Sequence, residues 1–180
     1  CARDSGACAW PRATVGTWWT MGALFRSRGF VHTLVAFVCS IGISNVVSTF
    51  LDHLLAHLGY DAPTIGAVGA GFQIAIMAGS LAFGAAVDAT KRYYGATLFC
   101  FGASFFWLGA ASNDAVHGDV LIAALLALGF FIGPIQPITA ECAVEVTYPS
   151  DENAIVATQQ VFGNLFSAAL VPVCNRVRHI

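Results

Sequence analysis

The chain has 180 residues, of which 57% are hydrophobic and only 10% are Asp, Glu, Lys or Arg, and its formal net charge is −2. A water-soluble domain carries about a quarter charged residues because water must wet its surface, so this composition excludes an ordinary soluble domain. The slightly acidic balance also argues against a nucleic-acid partner. We therefore predict an all-α integral membrane protein whose surface contacts lipid.

Six cysteines are scattered through the sequence without a CxxC pair or a zinc-ligand spacing. Several of them fall inside apolar segments, where a thiol behaves as a small hydrophobic group. This pattern predicts neither a disulfide framework nor a metal site, and no cofactor is expected.

Apolar segments divide the chain into five predicted membrane spans. Residues 1–28 mix Trp, Pro, Gly and Arg without periodicity and are predicted to form a cytoplasmic tail or a loop between two halves of a larger protein, whereas 175–180 are predicted to be a truncated tail. Most spans approach the ~20 residues that a ~30 Å hydrocarbon core requires. Because the chain begins at Cys1, we expect a fragment, with 29–174 as its membrane portion. The predicted spans are 30–51, 64–87, 96–111, 119–144 and 154–173.

The basic residues predict the orientation of these spans. Arg26 and Arg28 precede the first span, and Lys91 and Arg92 lie between the second and third, so both basic connections are on the same side. Cytoplasmic connections are enriched in Lys and Arg. This side is therefore predicted to be cytoplasmic.

Small residues recur on the second and fourth spans. GFFIG places Gly129 and Gly133 one helical turn apart on the fourth span, and the second contains a series of Gly and Ala. Helices in lipid pack closely where such residues meet. We interpret these positions as packing faces, with close approach of a ligand as the alternative.

The first span carries polar residues whose helical spacing predicts that they lie on one face, namely Ser40, Ser44, Asn45 and Ser48. An unpaired amide inside a membrane is costly, so Asn45 is predicted either to bond a neighbouring helix or to face a cavity. Toward the outer end, His53 and His57 are spaced i, i+4. They are either solvated or share a metal or a haem-like ligand.

The second span ends in GAAVDATKRYYG, which resembles the G-x-x-x-D-x-x-[RK]-x-x-R signature of the major facilitator superfamily. A carboxylate at a helix end can accept hydrogen bonds from a neighbouring helix and pair with nearby cations. Gly84, Asp88, Lys91 and Arg92 are therefore predicted to form a gating latch on the cytoplasmic side.

Prolines and carboxylates interrupt the fourth span. Pro134 and Pro137 each remove a backbone donor and are predicted to kink the helix. Glu141 and Glu145 share one face, where two ionised carboxylates repel each other. Either one of them takes up a proton or a cation from another helix, or both pair with Lys91 or Arg92.

The string TYPSDEN predicts a turn and a new helix start. Pro149, after Tyr148, ends the fourth helix, and Ser150 is predicted to cap the fifth. Within the fifth span, Gln159 and Gln160 are neighbours whose side chains point about 100° apart. We expect one of these two glutamines to contact a ligand.

The string PITAECAVEVTYPSDENAIVATQQVFGNLF, supported by GISNVVSTFLDH, resembles the feline leukaemia virus subgroup C receptor family of major facilitators. The resemblance implies that the spans are helices seven to eleven of a partial major facilitator fold, and that Gln160 contacts the ligand. Asn45 replaces a Tyr of that family's aromatic cage, so a cation–π contact with a quaternary ammonium is lost.

Taken with this resemblance, the sequence predicts a multi-pass transporter, in the plasma membrane, for a small solute such as choline, ethanolamine or haem. Alternating access would require the missing amino-terminal half. The alternative is a non-transporting scaffold or partner subunit. No set of catalytic residues converges in the spans, so an enzyme is not expected.

Overall fold

The computed structural model describes residues 24–112, 118–148 and 150–178, and all regular secondary structure in this part of the chain is helical. Five segments are long and apolar enough to cross a membrane, with Asp119–Thr147 counted as one span. This confirms the predicted all-α bundle with five spans. The helices are α1 (Arg28–His57), α2 (Ala62–Thr90), α3 (Tyr93–Ala111), α4 (Asp119–Ile132), α5 (Ile135–Thr147) and α6 (Glu152–Arg178).

The helices extend beyond several of the predicted limits. Helix α1 includes residue 28, which was assigned to the tail, and α6 continues to Arg178 through most of the segment predicted as a terminal tail. Residues 24–26, also assigned to the tail, are helical, whereas residues 1–23 and 179–180 lie outside the described residues, as does Pro149. Hydropathy marks only the lipid-embedded part of a helix, so a helix can continue beyond its predicted membrane span.

Local signals explain several helix ends. Pro63 lies in the first turn of α2, where its missing N–H is tolerated. That helix stops at Lys91, which adopts a left-handed conformation with φ 53°. Helix α6 is capped by Asp151, whose carboxylate accepts the Asn153 N–H at 3.2 Å, and not by Ser150 as predicted. Since the helix starts at Glu152, Asp151 occupies the capping position.

Helix α1 lies against α6 and α5, while α2 and α3 both pack on α4. Two apolar clusters stabilise opposite ends of this arrangement. One joins α1, α2 and α4 through Leu55, Phe72 and Leu121, and the other joins α1, α5 and α6 through Phe30, Ala143 and Ile155. The bundle therefore fixes both ends of α1 against its neighbours.

Three glycines determine how closely α2 and α4 approach. A Cβ atom placed on Gly79 would overlap the Phe130 carbonyl, and one on Gly133 would overlap the backbone of Ile76. At Gly129 the nearest atom, from Phe72, would be only 2.9 Å away. The structure thus confirms that Gly129 and Gly133 belong to a packing face, and it adds Gly79 on the opposing helix.

The fourth span is broken, as its prolines predicted. Helix α4 ends at Ile132, and α5 begins after Gly133 and Pro134. Because Pro134 has no N–H, it offers no donor to the carbonyl of Phe130, which instead lies against Gly79. Ser40 donates to the nearby carbonyl of Ile132 at 3.2 Å. Neighbouring helices therefore contact the backbone carbonyls at the break.

Candidate functional site: a polar face across three helices

Several polar side chains of α1, α2 and α6 are exposed, and two hydrogen bonds link polar groups across these helices. We call this set of side chains the polar face. Its members carry amide or hydroxyl groups, and all are exposed except Ser48, which is partly buried. Polar groups inside apolar membrane spans are typical of ligand or ion pathways in membrane proteins. The polar face consists of Asn45, Ser48, Thr49, Gln73, Gln160 and Asn164.

Hydrogen bonds between helices hold this surface together. Asn45 Nδ2 donates to Ser167 Oγ at 2.8 Å, linking α1 to α6. Gln73 Nε2 donates to Ser48 Oγ at 3.4 Å, linking α2 to α1. Asn45 was predicted either to bond a neighbouring helix or to face a cavity, and it both bonds α6 and remains exposed.

Close packing of α1 against α6 determines where these side chains lie. A Cβ on Gly163 would lie 2.7 Å from the Ile41 side chain, and one on Gly42 would lie 2.8 Å from Phe166. This contact brings Ser167 under Asn45. Gln160, Asn164 and Ser167 recur at helical spacing, so Gln160 and Asn164 lie beside the same seam.

The polar residues of α1 do not share one face, contrary to the sequence prediction. Ser40 and Ser44 are buried and point into the bundle, whereas Asn45 is exposed. Adjacent helical positions differ by about 100°, so the four residues divide between two sides of the helix. Asn164, Ser167 and Gln73 were missed, although the Gln160, Asn164, Ser167 spacing was visible in the sequence.

The two adjacent glutamines of α6 occupy different environments. Gln159 is fully buried, and its Nε2 approaches the Thr139 carbonyl of α5 at 3.5 Å. Its Oε1 has no partner among the described residues. Gln160 is exposed on the polar face. Of the two candidates, only Gln160 has an exposed side chain.

Charged side chains cluster at the predicted cytoplasmic end of α2, α5 and α6. They line a cavity of about 300 Å³, to which Asp88, Lys91, Glu141, Glu145 and Glu152 all contribute. Lys91 Nζ lies 3.6 Å from Asp88 Oδ1. The pKa of Lys91 is raised above its ordinary value, first by its interaction with Tyr93 and further by Asp88.

Tyr93 connects this pair to α5, since its side chain interacts with both Lys91 and Glu145. In the described residues the ion pair of Lys91 is with Asp88, and Glu145 is reached through Tyr93 rather than by a direct salt bridge. Glu141 lines the same cavity and is exposed. The predicted pairing of Glu141 and Glu145 with Lys91 or Arg92 is thus replaced by a shared charged cavity.

The other residues that were predicted to take part in gating are mostly exposed. Arg92, Pro137 and Tyr148 are exposed, and Pro137 lies in the first turn of α5, where proline is tolerated. A Cβ on Gly84 would meet no described atom within 4 Å. The signature glycine is therefore not required for packing among the described helices.

The two histidines of α1 lie toward its outer end, and His53 lines a small cavity together with Thr49 of the polar face. His53 and His57 line an apolar cavity of about 720 Å³ together with Leu108 of α3 and Cys174 of α6. No group of three or more His, Cys, Asp or Glu side chains in the described part of the chain could hold a metal ion.

We predict that Asp88→Asn slows the conformational cycle of the full-length protein several-fold while leaving equilibrium ligand binding unchanged. The substitution removes the charge that pairs with Lys91 but touches no residue of the polar face. Transport rate and ligand affinity, measured on the same preparation, check this expectation. Asp119→Asn, an exposed carboxylate outside the charged cavity, is the control. An equal loss of rate and affinity would contradict a latch.

Five apolar helices long enough to cross a membrane define the described residues as a multi-pass helical bundle. The chain belongs to the major facilitator superfamily, because the family model described as "Major Facilitator Superfamily" matches residues 33–174. The resemblance to this superfamily seen in the sequence is thereby confirmed.

Among curated proteins, the chain is similar to "Choline/ethanolamine transporter flvcr2b" of Danio rerio, with 31% identity over 80% of this chain and 31% of the relative. It is 33% identical to "Choline/ethanolamine transporter FLVCR1" of Felis catus, over 81% of this chain and 27% of the relative. These matches confirm the family resemblance seen in the sequence. The chain spans less than a third of the length of either relative.

Proposed function

We propose that this chain forms five helices of the carboxy-terminal half of a transporter that carries a small polar organic solute across the plasma membrane. The polar face lies along the solute pathway, and Gln160 and Asn45 contact the solute. Alternating access exposes this face to each side of the membrane in turn.

The exposed polar face is the observation that carries the proposal. Amide and hydroxyl groups cost free energy in hydrocarbon unless they are paired or face water. Asn45, Gln73, Gln160 and Asn164 are exposed on a bundle whose other exposed side chains are largely apolar. A water-filled pathway at this face accounts for their exposure.

A small amine is the solute class that this face favours. The relatives named above are choline/ethanolamine transporters by name. Asp52 is exposed two helical turns beyond Asn45 on α1, so a carboxylate lies toward the outer end of the polar face. A haem-like ligand would instead have to use the apolar cavity beside His53 and His57.

We also propose that the chain works together with an amino-terminal set of helices. It covers about a third or less of the length of its named relatives. The partner half would cover the polar face and complete the pathway. Movement of the two halves would then be governed at the cytoplasmic end by the Asp88 and Lys91 pair.

Uptake by cells that express the full-length protein tests the proposal. Labelled choline, ethanolamine and haem are each supplied, and surface labelling measures how much protein reaches the plasma membrane. We expect saturable uptake of at least one amine above that of cells without the protein. Protein at the surface with no uptake of any of the three would instead favour the scaffold alternative.

A further inference from the structure

A short helical turn precedes α1 and packs back onto the bundle. It comprises residues 24–26 and is separated from α1 by Ser27, whose backbone is extended, with φ −81° and ψ 115°. The Ser27 N–H donates to the Leu24 carbonyl at 3.0 Å, which closes the turn. Because Ser27 interrupts the helix, the turn can change its direction while α1 stays intact.

The first residue of the turn is firmly anchored. Leu24 is 2% exposed and packs in one apolar cluster with Phe30 of α1, Ala143 of α5 and Ile155 of α6. Complete burial of a leucine side chain is a substantial hydrophobic contribution. Leu24 therefore fixes the turn at the point where three helices meet.

Phe25, the next residue, makes a looser contact. Its ring centroid lies 5.4 Å from that of Phe162 on α6, at an interplanar angle of 72°, and 5.9 Å from that of Phe30. Phe25 and Phe162 remain 41% and 39% exposed. Segments with few buried apolar contacts open most readily. The contact between Phe25 and Phe162 is thus the part of the turn that can open at low cost.

The position of Phe162 brings this contact close to the polar face. Helix α6 begins at Glu152, so Phe162 lies about 15 Å along the helix axis from its start, at 1.5 Å per residue. Gln160 precedes Phe162 by two residues. The turn therefore reaches from the predicted cytoplasmic end of the bundle to the level of Gln160.

We propose that residues 24–26 form a lid at the Gln160 end of the polar face, with Leu24 as its anchor, Ser27 as its hinge and Phe25 closing it against Phe162. This inference rests on the proposed function and adds a moving element to it. The lid controls access to the pathway from the predicted cytoplasmic side, and Phe25 leaves Phe162 in every transport cycle.

Cross-linking the lid in its closed position tests the inference. Full-length protein carrying both Phe25→Cys and Phe162→Cys is reconstituted into liposomes and treated with a short bifunctional methanethiosulfonate reagent, whose mixed disulfides dithiothreitol cleaves. Because opening of a lid limits the cycle, the cross-link should lower uptake of labelled choline and ethanolamine at least about tenfold, and dithiothreitol should restore it. Each single-cysteine variant, with the native cysteines present, is the control and should keep its uptake.

Two neighbouring substitutions separate the anchor from the moving part. Leu24→Ala removes a buried side chain and should lower the surface level of the protein in cells. Phe25→Ala shortens an exposed side chain and should leave the surface level unchanged. If both variants lower the surface level equally, Phe25 is a structural contact and the lid is overturned.

The outcomes distinguish this inference from the proposed function. Normal uptake by the cross-linked protein, or failure of the two introduced cysteines to cross-link, overturns the lid and leaves the transporter intact. If the untreated wild-type protein in liposomes carries no labelled solute, the proposed function fails and the lid fails with it.

Discussion

Gly79→Ala is expected to remove most of the folded protein from the membrane. The Phe130 carbonyl occupies the position that the new methyl group would take. A backbone carbonyl cannot rotate away as a flexible side chain can, so α2 and α4 would have to separate. Overpacking of a core typically costs about 1–3 kcal/mol, and we expect the upper part of that range here.

The loss of stability would extend beyond the contact between Gly79 and Phe130. Gly79 lies against the carbonyl that Pro134 leaves without its helical donor, and Gly133, on the other side of the break, contacts the backbone of Ile76. Separation of α2 from α4 would expose the broken segment and the carbonyls around it. In lipid, unpaired carbonyls are costly because there is no water to bond them.

Gly66→Ala is the matched control on the same helix. No described atom lies within 4 Å of a Cβ placed there. Alanine is favoured over glycine in a helix by about 1 kcal/mol, so Gly66→Ala should be neutral or slightly stabilising. Thermal unfolding of the detergent-solubilised protein and its surface level measure both variants. Equal stability of the two variants would contradict the close packing of α2 against α4 at Gly79.

Gln160→Ala is expected to lower kcat/KM for the transported solute about tenfold without lowering the surface level of the protein. The exposed amide belongs to the polar face, and a hydrogen bond to a charged ligand contributes about 1.5–3 kcal/mol. Few packing contacts are lost when an exposed side chain is shortened. The readouts are uptake kinetics and surface labelling in the full-length protein.

Gln159→Ala, one residue earlier, should affect the stability of the protein rather than its transport activity. Gln159 is fully buried and approaches the Thr139 carbonyl on α5. Its removal leaves a cavity and takes away a donor from a carbonyl between two helices, which costs about 1–3 kcal/mol. We expect less protein at the surface but unchanged uptake per molecule. If both variants lose uptake and stability equally, the assignment of Gln160 to the solute pathway is wrong.

The sequence predicted the bundle and the broken fourth span because those features depend on local chemistry. An apolar run of about 20 residues has few alternatives to a membrane helix, and Pro134 cannot supply the N–H that helix continuation needs. The break falls at Gly133 and Pro134, while Pro137 is accommodated in the first turn of α5.

The candidate site was predictable only in part. Asn45 and Gln160 stood out as polar groups inside apolar spans, and the structure places both on the polar face. Ser167 did not stand out in the sequence, because a lone serine is common in membrane helices. Its role depends on the hydrogen bond that it accepts from Asn45 across the contact between α1 and α6. The link from Lys91 through Tyr93 to Glu145 likewise joins residues distant in sequence.

The sequence by itself determined that this protein is an α-helical membrane protein with five spans and a major facilitator signature. Only the tertiary structure decided which side of each helix faces the bundle. It separated buried Gln159 from exposed Gln160, and buried Ser44 from exposed Asn45. The physical reason is that lipid and protein interior are both apolar, so a membrane helix lacks the strong hydrophobic periodicity that marks the buried side of a soluble helix.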